Sequence, residues 1–382
     1  MSLSDFGDIR PYTDAEAVEA LGRVSRHPMT PVISKYLFPD LPAATLSHML
    51  RGIGSVDQFQ NEIMYAVVAA VAAKTSAGVT WAGQEHLKAL NGKKFLLISN
   101  HRDIVLDPAL IQFMLKQEGL PTTEICVGSN LLGSQLVEDL MRSNRMIKVI
   151  RGVGPRELYR SSQVLSQYIR ESITADRASI WIAQREGRTK DGLDATEQGL
   201  LKMLEMSGEG SFEQNFLDLR IVPLSISYEY ESCDARKARE VLLRREGPYV
   251  KKAKEDLHSI LTGIRQQKGR IHLQVGEPLR ADEVGAAASA DRNERYQVLR
   301  GTLDRRIIGG YQLWKTNYMA DDLQRGCTKW ADAGMYTAAE LDAFEKYIAH
   351  KLGKLERRLD QAALREIFLG IDAGPVRAKE GL

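Results

Sequence analysis

The sequence predicts an α/β protein built on a mixed, mostly parallel sheet flanked by helices, with helical regions at its N- and C-terminal ends. Three observations carry this. From Phe95 to about Pro278, six short β-prone runs alternate with amphipathic stretches long enough to serve as sheet crossovers. Before about Gly83 and after about residue 285, the apolar spacing is helical only. With 43% hydrophobic residues over 382 positions, the chain can bury a sizeable core. The expected units are therefore a helical region over 1–83, an α/β domain over 84–285 and a second helical region over 286–382.

The elements follow in order. Ala15, Val18, Ala20, Leu21 and Val24 share one helical face, and Pro28 and Pro31 are expected to break that pattern. The apolar run Ile63 to Ala73 (IMYAVVAAVAA) reads as a buried helix; it stops at Lys74, well short of the about 20 residues that span a bilayer. The strands are expected at FLLIS (95–99), TEICVG (123–128), MIKVI (146–150), SIWIA (179–183), RIVPLSIS (220–227) and RIHLQV (270–275). Helices are expected at 107–118, 131–143, 155–174, 194–206 and 248–268. The small residues Ala286 to Asp291 (AAASAD) read as a linker into a helical tail that holds Trp314, Trp330 and the charged run Lys351 to Arg358.

Composition narrows the function. Lys plus Arg number 52 against 50 Asp plus Glu, a balance that argues against a general nucleic-acid binder. Cys126, Cys233 and Cys327 are far apart and form no CxxC pair, so neither a zinc site nor a disulfide framework is indicated and a reducing cytoplasm fits. The start, MSLSDFGDIRPYTD, is acidic and polar, unlike a secretory signal. His27, His258, His272 and His350 have no partners at metal-ligand spacing, and Ser225 and Ser227 lie in a strand without a GxSxG elbow. Gly152-Val153-Gly154-Pro155 lacks the third glycine of a dinucleotide loop and reads as a turn. Neither a metal nor a cofactor is expected.

The candidate chemistry starts where the hydrocarbon strand FLLIS empties into Asn100, His101, Arg102 and Asp103, with Asp107 and Pro108 opening the next helix. Ligands of open α/β sheets bind at the carboxyl ends of strands. A neutral imidazole there can accept a proton near neutral pH, and a carboxylate on its other nitrogen fixes tautomer and charge. Arg151, Arg185, Arg188 and Lys190 also lie just beyond strands, and the planar guanidinium fork suits phosphate.

A strand ending in Asn-His, followed by a carboxylate and a helix, resembles the first motif of the glycerolipid acyltransferases, the glycerol-3-phosphate and 1-acylglycerol-3-phosphate acyltransferase-like family. That motif has four residues between His and Asp; here five separate His101 from Asp107. Asp107 is favoured as the partner of His101, with Asp103 as the alternative. Met146 to Gly152 (MIKVIRG) resembles the second block and ends in Arg151. Gln184 to Gly192 (QREGRTKDG), with Glu186, Gly187 and Arg188, resembles the third, and Ile221 to Tyr228 with Pro223 the fourth. The likeness covers roughly residues 80–280.

The resemblance implies an acyltransferase that moves a fatty acyl group from acyl-CoA or an acyl carrier protein to a hydroxyl of glycerol 3-phosphate or a lysophospholipid. His101 would be the base, oriented by Asp107 or Asp103. Asn100, Arg102, Arg151, Glu186, Gly187, Arg188 and Lys190 would bind the phosphate-bearing acceptor, Glu186 by orienting guanidinium groups or touching a glycerol hydroxyl. An acyl thioesterase, or a non-catalytic lipid or acyl-carrier binding protein, stays open. Since the product partitions into bilayers, a membrane surface is an expected partner of a cytoplasmic protein, on the inner face of the cell membrane. Arg142, Arg145, Lys148, Arg151, Arg156 and Arg160, opposed only by Glu157, read as a basic ridge facing anionic headgroups or an acidic carrier.

Overall fold

The computed structural model describes residues 6–250 and 255–382. Seven strands form one sheet: β1 (Gly78–Ala82), β2 (Leu96–Ser99), β3 (Glu124–Gly128), β4 (Met146–Val149), β5 (Ile180–Ala183), β6 (Ile221–Tyr228) and β7 (Arg270–Val275). Their order across the sheet is β1-β7-β6-β2-β5-β3-β4. All neighbours pair in parallel except β6 and β7, so the sheet is mixed and mostly parallel. The strands β2 to β6 thus end on one edge, and the loops after them can converge.

Strand β2 sits in the middle, between β5 and β6, and all four of its residues are fully buried. That explains its unbroken apolar run, because helices cover both faces of a central parallel strand. Leu97 and Trp181 pack with Leu110, Ile111 and Met114 of helix Leu106–Gln117 on one face. Leu96, Ile98, Ile180 and Ile182 pack on the other with Ile169 of helix Pro155–Thr174 and Leu303 of helix Arg295–Gly309. Two satellite cores stand beside the sheet. One joins helices Asp14–Ser25 and Thr45–Arg51 to Phe59 and Ile63. The other joins helices Lys315–Arg325, Ala338–Leu352 and Gln361–Glu380 to helix Asp234–Glu246.

The six expected strands are present, and several boundaries need correction. Strand β1 lies inside 1–83, the segment read as helical; it pairs with β7, and its five residues leave too little length for a visible alternation. Pro31 does not break a helix but sits in the first turn of helix Thr30–Leu37, where its missing N–H costs nothing. The run Ile63 to Ala73 is helical, in a π-helical turn Phe59–Met64 followed by helix Tyr65–Thr75, yet within it only Ile63, Val68 and Val71 are buried. The segment AAASAD is not simply a linker, since helix Ala281–Ala288 continues through its first three residues and buries Ala287. Of the helix expected over 248–268, Glu255–Arg265 is observed, and residues 251–254 lie outside the described residues. Helix Asp234–Glu246 was missed because its charges hide its apolar spacing. No helix among the described residues is long and apolar enough to cross a membrane.

Candidate active site

The loop after β2 is built around two carboxylates with different duties. Asp107, in the first turn of helix Leu106–Gln117, accepts through Oδ2 from His101 Nδ1 at 2.9 Å and from the Arg102 and Asp103 backbone N–H groups at 2.6 and 2.8 Å. Its Oδ1 accepts from the Tyr228 hydroxyl at 2.8 Å. Burial, and then the charges of Asp107 and Asp103, push the Tyr228 phenol well above its ordinary pKa, so it stays a neutral donor. Asp103 instead accepts through Oδ1 from the Val105 and Leu106 N–H groups at 2.9 and 2.8 Å, which caps the helix. Its Oδ2 accepts from the Ser232 hydroxyl. Gly263 lies so close behind that a Cβ there would stand 2.2 Å from Asp103 Oδ2.

This arrangement explains how a five-residue spacing still joins His101 to Asp107. The extra residue is taken up in a turn closed by the Asp103 cap, and Asp107 reaches back over it. With Asp107 accepting from Nδ1, the His101 lone pair lies on Nε2. The ring stands edge-on to Trp181, with centroids 6.0 Å apart. The imidazole is 14% exposed and lines a cavity of about 360 Å³.

The cavity lining is of two kinds. Ile125, Met146, Val149, Leu165, Leu200 and Met203 are apolar. Arg151, Arg185, Arg188 and Lys190, from the loops after β4 and β5, are cationic, beside the carboxylates of Glu186, Glu197 and Asp256. Arg188 is only 8% exposed, and its Nη1 has no hydrogen-bond partner; the same holds for Arg185 Nε. Arg151 Nε lies 3.7 Å from Glu186 Oε1, and Glu186 itself is 67% exposed. Lys190 Nζ is held by Glu240. Gly187, also in the cavity lining, takes φ +73°, a left-handed conformation that glycine adopts freely.

Two expected binding residues do not face the cavity. Asn100 is fully buried, donates to the Ile226 carbonyl at 3.0 Å and accepts from the Ile226 N–H at 2.8 Å, so its amide continues the β2–β6 pairing. Arg102 points into the protein, with Nη2 2.7 Å from Asp194 and Nη1 3.4 Å from Glu231. Burial disfavours its charge, but Asp194 and Glu231 outweigh that and raise its pKa. The basic ridge is also corrected. Arg142 is buried and donates to the Gly7 and Arg10 carbonyls, Arg145 pairs with Asp57, and Arg151 faces the cavity. Arg156 and Arg160 remain exposed at the start of helix Pro155–Thr174.

Sequence reasoning overlooked Tyr228. It closes the strand IVPLSISY, and nothing in its spacing shows that the fold will aim its hydroxyl at Asp107 across 121 positions. Arg185 was noted beside the third block, and the structure brings it into the same cavity as Arg188.

Residues 78–227, from β1 into β6, match the family model described as Acyltransferase. Dihydroxyacetone phosphate acyltransferase of Bos taurus is 27% identical over 200 residues, covering 51% of this chain and 28% of the relative. The Mus musculus protein of the same name is 27% identical over 214 residues, 55% of this chain and 30% of the relative. The chain thus spans less than a third of the length of these curated relatives.

Proposed function

Since residues 78–227 match the Acyltransferase family model and the curated relatives are dihydroxyacetone phosphate acyltransferases, we propose that this chain is a glycerolipid acyltransferase that transfers a fatty acyl group from an acyl thioester to a hydroxyl of a small phosphate-bearing acceptor. One observation carries the acceptor: the buried Arg188 guanidinium, with an unpartnered nitrogen, lines the same cavity as the catalytic imidazole. An unmade hydrogen bond on a buried donor costs about 1–3 kcal/mol, and a phosphate oxygen removes that cost. The relatives are named for dihydroxyacetone phosphate, a compact phosphate ester with the charge that the cationic lining suits.

His101 Nε2 takes the proton of the acceptor hydroxyl as its oxygen attacks the thioester carbonyl. The imidazolium formed is stabilised by Asp107, whose carboxylate is held in place by three further donors. Collapse of the tetrahedral intermediate breaks the C–S bond, and the imidazolium proton goes to the departing thiolate. A thiolate leaves readily, so no covalent acyl-enzyme is needed. The arginines position the acceptor, and the apolar side chains of the lining hold the start of the acyl chain.

A lipid product also calls for a membrane surface. Leu158, which lines the cavity, and Tyr159 are 47% and 59% exposed between Arg156 and Arg160, and this supports reversible docking on anionic lipid, on the inner face of a cell membrane. Binding to anionic vesicles that weakens with salt is the expected outcome of cosedimentation.

Product analysis tests the reaction. The protein is incubated with acyl-CoA or acyl-loaded carrier protein and with glycerol 3-phosphate, dihydroxyacetone phosphate, lysophosphatidate or no acceptor. Acylated phosphate ester is the expected product. Release of free fatty acid at the same rate without acceptor would make the protein a thioesterase and sink this reading.

A further inference from the structure

We propose that Asp194, a buried residue outside the cavity, is a positioning residue that locks the His101 loop and the Arg188 loop to each other, a role resting on the acyl-transfer reading above. Its Oδ1 accepts from the Thr189 hydroxyl. Its Oδ2 accepts from the Tyr311 hydroxyl at 2.6 Å and pairs with Arg102 Nη2 at 2.7 Å. Arg102 directly follows His101, and Thr189 directly follows Arg188. The Thr189 N–H donates in addition to the His101 carbonyl at 2.8 Å. One carboxylate therefore holds the neighbour of the base and the neighbour of the phosphate-facing arginine.

The surroundings make this a closed device. Lys237, itself fully buried and paired with Glu231, donates to the Arg102 carbonyl at 2.7 Å. Two cations, Arg102 and Lys237, thus meet two anions, Asp194 and Glu231, and all four are buried. What such a network fixes is geometry, the attested use of buried ion pairs in several proteins. Tyr311 brings in the C-terminal helical region, and so does Gly192. That glycine has φ +77°, and a Cβ there would stand 2.5 Å from the Ile371 carbonyl oxygen of helix Gln361–Glu380. The loop that carries Arg188 is thus backed by the C-terminal region as well as tied to the base. His101 and Arg188 each sit one residue from the clamp, and a small shift in either misplaces hydroxyl against imidazole.

The test uses Asp194→Asn in the full chain, which keeps the shape but removes the charge and turns an amide against Arg102 or Tyr311. Hydrogen exchange is read without any reliance on activity. Amides of 100–106 and of 185–193 should both exchange at least about tenfold faster, while β2 and helix Arg295–Gly309 keep their protection. Kinetically, KM for glycerol 3-phosphate should rise and kcat fall, each by about tenfold or more, with KM for acyl-CoA unchanged. Tyr311→Phe removes one donor and leaves the charges, so it should show the same pattern at about a third of the size, and it serves if the first variant folds poorly. Faster exchange in one loop only, or everywhere in proportion to lost stability, overturns the clamp. So does a loss of rate with both KM values unchanged. If the wild-type protein transfers no acyl group, the functional reading falls, whereas joint loosening of the two loops still upholds the clamp.

Discussion

The loop after β2 and the loop after β5 meet in one cavity, yet they are finished to different degrees. Around Asp107 four donors are in place, and the His101 ring is already turned. Around Arg185 and Arg188, buried guanidinium nitrogens wait without partners. A base must have its tautomer and direction set before the hydroxyl arrives, so its environment is complete in the free protein. An anion site is completed by the anion. On the proposed reading, the contrast separates a group that does chemistry from groups that hold a substrate, and mutations should separate them kinetically.

The largest effect belongs to the completed side. His101→Ala should lower kcat by about 10²–10⁴-fold with the acceptor KM little changed if, as proposed, the imidazole contributes proton transfer in the transition state. A variant that keeps more than about a tenth of the wild-type rate would break the assignment of the base. Asp107→Asn should cost nearly as much, because an amide can present its N–H where Nδ1 needs an acceptor. Steady-state rates beside thermal melts check both, and the melt of His101→Ala should match that of the wild type.

The open side should respond in KM. Arg188→Ala is expected to raise KM for a phosphate-bearing acceptor by about 10- to 100-fold, as a charged hydrogen bond worth about 1.5–3 kcal/mol implies. KM for the acyl thioester should stay put. Arg151→Ala should do less, since Arg151 is partly exposed and already faces Glu186. Equal effects on donor and acceptor would erase the difference between the two loops.

Asp103→Asn probes the comparison from inside the completed loop. Asn caps helices about as well as Asp, so the rate should stay within about threefold of wild type and the fold should hold. If Asp103→Asn were as damaging as Asp107→Asn, the orienting role would move to Asp103, against the 2.9 Å contact that His101 makes with Asp107.

How far the sequence revealed this contrast depends on what each feature rests on. The central strands were readable because FLLIS and SIWIA must be apolar on both faces, and composition reports that directly. His101, Asp107 and Arg188 were readable because they follow strand ends, where a parallel sheet gathers its loops. Strand β1 was not, since five half-exposed residues carry no period of their own and its pairing with β7 is 192 positions away in sequence. Arg102 and Asn100 were misread for a related reason. Their positions beside His101 are those of ligand groups, but their partners Asp194, Glu231 and Ile226 come from distant segments. Local pattern shows which residues reach the edge of the sheet, and only the assembled fold shows which way each side chain turns.

The smallest effect lies at the opposite edge of the sheet and tests whether the site's pH response is its own. Glu124 opens β3, away from the strand end that faces the cavity, and accepts from the Tyr168 hydroxyl at 2.8 Å. Burial pushes its carboxyl up to about 7; the Tyr168 bond and the Arg145 and Arg177 charges pull the other way without cancelling this. In the unfolded chain a glutamate titrates near 4.3. Between about pH 4.3 and 7 the folded state therefore binds more protons than the unfolded one, so this residue's contribution to stability declines as pH rises through that window. Glu124→Gln keeps an acceptor for Tyr168 and removes the titration, so melting temperatures measured from pH 5 to 8 should vary less than in the wild type. The pH profile of kcat should not move, because His101 and Asp107 lie at the other end of the strands. A shift of the kcat profile with the melting curve would mean that activity merely follows global stability, and the finished loop around Asp107 would lose its standing as an independent, pre-set base.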